Sequence, residues 1–254
     1  MKSKYLVILF LSGLLVYSIS CKKENKTTNH PSVPVDTTQT SNCKELFFSE
    51  YVEGSGNNKA LEIYNPTDSA IDLSKYKIKR YSNGSRDSSF GGTTQLSGIL
   101  LPHHVFILVN GQTTTTPTSP ACDTNLQRIG NMLDHAYPSP CYFNGNDAIT
   151  LEKIGDTTDV IVDIFGKIGE DPGQGWSIDS TTNYIAGNEY WLAWTMNHTL
   201  IRKNTVKKGV TKNPGSEINN LYFNVALEWD SLPNNTWSNL GTHICNCDTT
   251  HKKK

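Results

Sequence analysis

Read for its hydrophobic and polar positions, the chain breaks into short β-branched and aromatic runs separated by Asn, Gly, Pro and Asp, and no stretch of ten or more residues carries a helical apolar period. Strands are expected over residues 46–52, 60–64, 75–81, 105–109, 148–153, 160–165, 200–203 and 223–229. Alternation is clearest in Leu61-Glu62-Ile63-Tyr64 and in Val160-Ile161-Val162-Asp163-Ile164, where one face enters a core and the other meets solvent. Asn65-Pro66, Asn83-Gly84, Gly91-Gly92 and Asn144-Gly145 supply the backbone geometries that strand reversals need. The pattern predicts an all-β sandwich with long decorated loops. Residues 166–197, rich in Trp and polar groups, read as a long insertion, and residues 113–118, nearly all threonine, as an exposed loop.

The two ends behave differently. Residues 1–20 begin with Lys2 and Lys4, continue as an almost wholly apolar run to Tyr17, and end in small residues before Cys21. The apolar core is shorter than the roughly 20 residues of a spanning helix, and the segment reads as a lipoprotein signal peptide cleaved before Cys21. An acylated Cys21 would hold the protein at a membrane, placing it outside the cytoplasm on an outer membrane or cell surface. Residues 21–42, KKENKTTNHPSVPVDTTQTSN after the cysteine, are too polar to bury a core and read as a tether. One domain is expected over 43–247, with a disordered tail at 248–254.

Without residues 1–20 the chain carries 21 basic and 24 acidic side chains, a formal charge of −3. A general electrostatic grip on nucleic acid is therefore not favoured. Five cysteines remain besides Cys21, in a compartment where disulfides persist. The expected pairs are Cys122 with Cys141, and Cys43 with either Cys245 or Cys247. A metal reading of His243 with Cys245 and Cys247 is disfavoured, because one residue between cysteines is not the usual zinc spacing.

The segment FSEYVEGSGNNKALEIYN at 48–65, followed by Ile71-Asp72-Leu73-Ser74-Lys75-Tyr76, resembles the opening of a lamin tail domain. The resemblance continues in GNDAITL at 145–151, VIVDIFG at 160–166 and DPGQGW at 171–176. HTLIRK at 198–203 and WSNLGTH at 237–243 resemble the closing part of secreted bacterial versions. The resemblance implies an immunoglobulin-like β-sandwich that acts as a binding or attachment module. In bacteria such domains look like accessory parts of exported nucleases, phosphatases and adhesin-like proteins, usually beside a separate catalytic domain; here the lamin-tail-like stretch fills most of residues 44–243.

No nucleophile elbow, HExxH helix, phosphate loop or EF-hand loop occurs, and no metal or cofactor site is expected. The seven histidines are scattered, and the adjacent His103 and His104 make a poor chelate. Candidate binding groups are a cluster of Glu50, Glu53, Lys59 and Glu62 near the first hairpin loop, weighed against a structural ion pair. A stripe of Lys75, Lys77, Lys79 and Tyr81, and a second basic stretch at Arg202, Lys203, Lys207, Lys208 and Lys212, suit phosphate or single-stranded nucleic acid less well than a solvated edge. Five tryptophans read as core. Asp72 is expected to close a turn and Asp163 to cap or pair locally. The functional expectation is a non-catalytic, lipid-anchored module for protein, glycan or extracellular polymer; the alternatives are a secreted nuclease or other phosphoester hydrolase, and a passive spacer.

Overall fold

The computed structural model describes residues 42–135, 137–177, 193–214 and 223–248. The signal segment, Cys21, nearly all of the tether and residues 178–192 of the expected insertion at 166–197 lie outside the described residues. Within them the chain order is β1 (Phe47–Glu53), β2 (Lys59–Tyr64), β3 (Ile71–Asp72), β4 (Tyr76–Tyr81), β5 (Thr93–Gln95), β6 (Ile99–Leu100), β7 (Val105–Asn110), α1 (Thr124–Ile129), β8 (Met132–Asp134), β9 (Ala148–Lys153), β10 (Val160–Phe165), β11 (His198–Arg202), α2 (Val225–Glu228) and β12 (Trp229–Pro233). Six strands form one sheet in the order β12-β11-β1-β2-β7-β8, four form the facing sheet in the order β10-β9-β4-β5, and β3 pairs with β6 in a small ribbon. All pairings are antiparallel except β7 with β8. This is an all-β, immunoglobulin-like sandwich.

Period-two alternation builds the core. Tyr51, Leu61, Ile63, Phe106, Leu108 and Leu200 of the larger sheet meet Tyr76, Ile78, Ile149, Leu151 and Val162 of the smaller one. Tyr51 stacks between Phe143 and Phe165, with ring centroids at 4.6 and 4.1 Å, and Trp229 meets Phe165 edge-on at 5.3 Å. Trp176 and Trp229 are fully buried, Trp194 packs against the same core, and Trp237 belongs to a second cluster; Trp191 lies outside the described residues.

The outer face of the larger sheet does not meet solvent over β1 and β2. Every residue of β1 and β2 is buried. Leu126 of α1, Cys122, Trp237 and Leu240 cover Val52, Ala60, Ile107 and Val109, while Cys245 and Cys247 cover Phe47 and Tyr64. The C-terminal segment therefore acts as a third layer, pinned by a disulfide between Cys43 and Cys247. Its last described residue, Asp248, accepts from the Tyr64 hydroxyl and lies 2.9 Å from His103 Nδ1, so the fold runs one residue further than the tail boundary expected at 248.

Two expected elements differ. Residues 223–229 are not one strand: the Asn224 side chain accepts from Ala226 N at 3.1 Å and starts the helical turn α2, and the strand begins at Trp229. Lys75 ends a 3-10 turn over Leu73–Lys75 that the Asp72 carboxylate caps through Ser74 N, so β4 begins one residue later.

Candidate functional site

One end of the sandwich is built by loops, the other by the entry of the chain. At the loop end, Gly54 N bonds Asn58 O at 2.8 Å and Lys59 N bonds Asn57 O at 2.8 Å, closing the β1–β2 connection. This brings Glu53 and Lys59 together: Lys59 Nζ lies 2.5 Å from Glu53 Oε1 and also donates to Gly54 O, and the other Glu53 oxygen accepts from Asn197 N. Both side chains are nearly buried. Asn57 Nδ2 donates to Ser119 Oγ at 2.9 Å and Pro120 O at 2.6 Å.

The loop after β10 completes the wall. Asn146 Nδ2 donates to Gly173 O at 2.9 Å and Asp171 Oδ1 at 3.2 Å, which ties GNDAITL to DPGQGW, and Trp176 N donates to Thr195 Oγ1 at 2.8 Å. The result is a pocket of about 330 Å³ lined by Glu53, Asn57, Lys59, Tyr142, Phe143, Asn144, Asn146, Gln174, Met196 and Asn197. Its one cation and one anion neutralise each other. What remains is a set of amides beside aromatic rings, and Asn146 Oδ1 is buried with no hydrogen-bond partner. Such a lining suits a neutral ligand that both donates and accepts hydrogen bonds.

The expected acidic cluster therefore divides in two. Glu53 and Lys59 sit at the pocket, but Glu50 and Glu62 lie on the covered outer face, directly opposite each other across β1 and β2 where a bulge between Phe48 and Glu50 resets the register. Ser49 Oγ donates to Glu62 Oε1 at 2.7 Å and Gly241 N to Glu62 Oε2 at 2.7 Å, while Glu50 Oε1 has no partner. Burial, and secondarily the Glu62 charge, pushes Glu50 up to about 8; burial pushes Glu62 up to about 7 against those two hydrogen bonds. His243, packed edge-on to Tyr64 at 4.9 Å, is driven by burial and then by Arg202 down to about 4.

The lysine stripe is an ion-pair ladder. Lys77, Lys79 and Tyr81 share the outer face of β4, but Lys77 lies 2.5 Å from Asp159 and Lys79 lies 2.7 Å from Glu152, to which the Tyr81 hydroxyl also turns at 3.4 Å. In the second stretch, Arg202 is fully buried against Asp163 at 2.9 Å and Glu228 at 2.6 Å, and Lys203 Nζ donates to Ala226 O at 2.5 Å. Asp163 thus caps locally, accepting from Ile164 N at 2.9 Å, and also pairs far along the chain. His103 lies 2.9 Å from both Asp68 and Asp248, and His104 Nδ1 lies 2.7 Å from Pro102 O.

Of the two cysteine pairings expected, one is present: Cys43 is bonded to Cys247, one of its two expected partners, whereas Cys122, Cys141 and Cys245 are buried thiols. Cys122 and Cys141 belong to different packing clusters: Cys122 packs beside Val109 on the outer face of the larger sheet, and Cys141 on its inner face, where its Sγ lies 3.6 Å from Leu108 O. Burial pushes the Cys122 thiol up to about 11. Among the described residues no three His, Cys, Asp or Glu side chains converge to hold a metal.

Sequence reasoning missed Asn57, Asn146 and Asn197 as pocket groups. The first two stand inside the segments that carried the family resemblance, but an asparagine at a turn looks the same whether it lines a pocket or only shapes the backbone. No curated protein and no solved structure matches the chain. The family model described as Lamin Tail Domain matches residues 39–168, a stretch that holds the first ten strands and most of the pocket's lining. The chain belongs to the lamin tail domain family, whose immunoglobulin-like fold is a non-catalytic module.

Proposed function

We propose that this chain is an exported, lipid-anchored attachment module that binds a neutral, hydroxyl-rich ligand, such as a glycan strand of an extracellular polymer, in the pocket at its loop end. The observation that carries the reading is the pocket's chemistry: paired charges, amides beside Tyr142 and Phe143, and a buried Asn146 oxygen without a partner. Its position agrees with anchoring. β1 starts near Cys43 and ends at Glu53, so its seven residues, roughly 23 Å at strand rise, separate the chain entry from the pocket.

The test is retention of the mature protein on a panel of immobilised glycans, alongside Asn57→Ala and Asn146→Ala variants whose melting is followed. Retention lost in both variants while they stay folded supports the pocket. Hydrolysis of DNA, RNA or a generic phosphoester that a chelator abolishes would replace the reading with an enzymatic one. Absence of any retained glycan or cross-linked protein would favour a passive spacer.

A further inference from the structure

We propose that the opposite end of the sandwich, where the chain enters the fold, docks on an anionic lipid surface. A groove of about 840 Å³ runs along the start of β10, floored by Val160, Ile161 and Val162 and walled by Lys44, Lys208 and Lys212. Through Lys44, Glu45 and Lys153 it continues into a second hollow of about 430 Å³ that holds Lys75. Among the described residues β10 is the edge strand of its sheet. Val160 is 58 % exposed and Ile154, across the same hairpin, 40 %, so two aliphatic side chains stand in water among lysines.

Cations outnumber anions on this face. Glu45 is taken by Lys153 at 3.0 Å and Asp159 by Lys77 at 2.5 Å, Asp72 lies in the same hollow as Lys75 and feels its charge, and among the described residues Lys44 and Lys208 form no ion pair. The mature chain carries a formal charge of −3, so this basic end runs against the balance of the whole. Exposed aliphatics flanked by Lys44 and Lys208 match the two-part chemistry of a membrane interface, where apolar groups enter the headgroup boundary and cations meet anionic lipid.

Position adds a second argument. Lys44 follows Cys43, and Cys43 stands 22 residues after Cys21, which limits the distance from an anchored Cys21 to at most roughly 75 Å even fully extended. The basic face is the part of the fold at which that connection arrives. This location depends on the anchoring read above; the surface chemistry does not.

The experiment uses the mature chain with Cys21→Ser, so that no acyl group contributes, and measures cosedimentation with phosphatidylcholine vesicles containing about a third phosphatidylglycerol. Binding that falls with added salt and is absent on pure phosphatidylcholine supports the proposal. Lys44→Gln with Lys208→Gln should weaken it about fivefold per lysine at unchanged melting temperature, Val160→Ser should weaken it further, and Arg128→Gln on α1 should leave it unchanged. No cosedimentation, equal binding to neutral vesicles, or an unaffected double variant would overturn it. A native mass without acyl chains would sink the anchor alone and leave the vesicle result standing.

Discussion

Arg202 on β11 and Asp163 on β10 meet at 2.9 Å with both side chains fully buried, joining the two sheets at the corner where β10 passes β1. Asp163 also accepts from the backbone N–H groups of Phe48, Ile164 and Val210, and the guanidinium stacks 4.7 Å from the Trp229 ring. Burial pushes the Asp163 carboxyl up, and Arg202 with the backbone donors pulls it back. Removing one partner leaves the other charge buried and alone. Asp163→Ala should therefore destabilise the domain by about 3–5 kcal/mol, measured by chemical denaturation, whereas Lys77→Gln at the outer ladder should cost no more than about 1 kcal/mol. Equal effects would show that burial of the Arg202 pair is not what makes it matter.

Glu50 and Glu62 predict a pH dependence with a definite sign. Their folded values, about 8 and about 7, lie above the ordinary 4.5, so the folded state holds these protons more tightly than the unfolded chain. Their contribution is complete below about pH 4.5 and is lost as pH rises through 7 and 8. Glu50→Gln keeps the shape and removes the charge, and it should raise stability at pH 8–9 by about 2 kcal/mol or more while changing little at pH 5. Melting curves across that range decide it; parallel profiles for the variant and the parent would refute the assignment.

The sequence made the inner face of this fold readable and left the outer one hidden. The strands at 148–153 and 160–165 follow from alternation alone because each carries its own apolar period. The cover over β1 and β2 does not, since residues 237–247 are polar and irregular and reach Glu62 only through a bond from Gly241, 179 positions away. With that cover unseen, Glu50 and Glu62 looked like surface acids. Cys122 and Cys141 looked like partners for the same reason: 19 positions separate them in sequence, but a sheet separates them in space. The helical turn at 225–228 left a signal in the capping residue Asn224, overridden by the β-branched and aromatic residues around it.

The thiol pattern gives a direct chemical check. Unfolded without reductant, the mature chain should expose three titratable thiols besides Cys21, and reduction should add the two of Cys43 and Cys247. In the folded state Cys122 and Cys141 should alkylate slowly, since burial holds both thiols well above their ordinary range. Cys43→Ser opens a loop of 204 residues and should cost about 2–5 kcal/mol. One thiol in the unreduced chain would mean that Cys122 and Cys141 do bond and that the layer order is wrong.

Gly166 links the core to the pocket. It follows β10 with φ of +82°, a conformation that glycine adopts freely, and a Cβ there would lie 2.7 Å from the Trp176 ring and 3.2 Å from Ala148 Cα. Trp176 ends the loop whose Gly173 and Gln174 line the pocket, so an alanine must shift either the buried indole or the backbone of β9. Gly166→Ala should lower stability by about 2 kcal/mol or more, the summed emission of the five tryptophans should shift toward the red, and ligand retention should fall with it. Asn146→Ala, which leaves the indole in place, should lose retention with the fluorescence unchanged. If Gly166→Ala retained full stability and the parent spectrum, the tight packing of Trp176 on this turn, and with it the loop wall of the pocket, would be wrong.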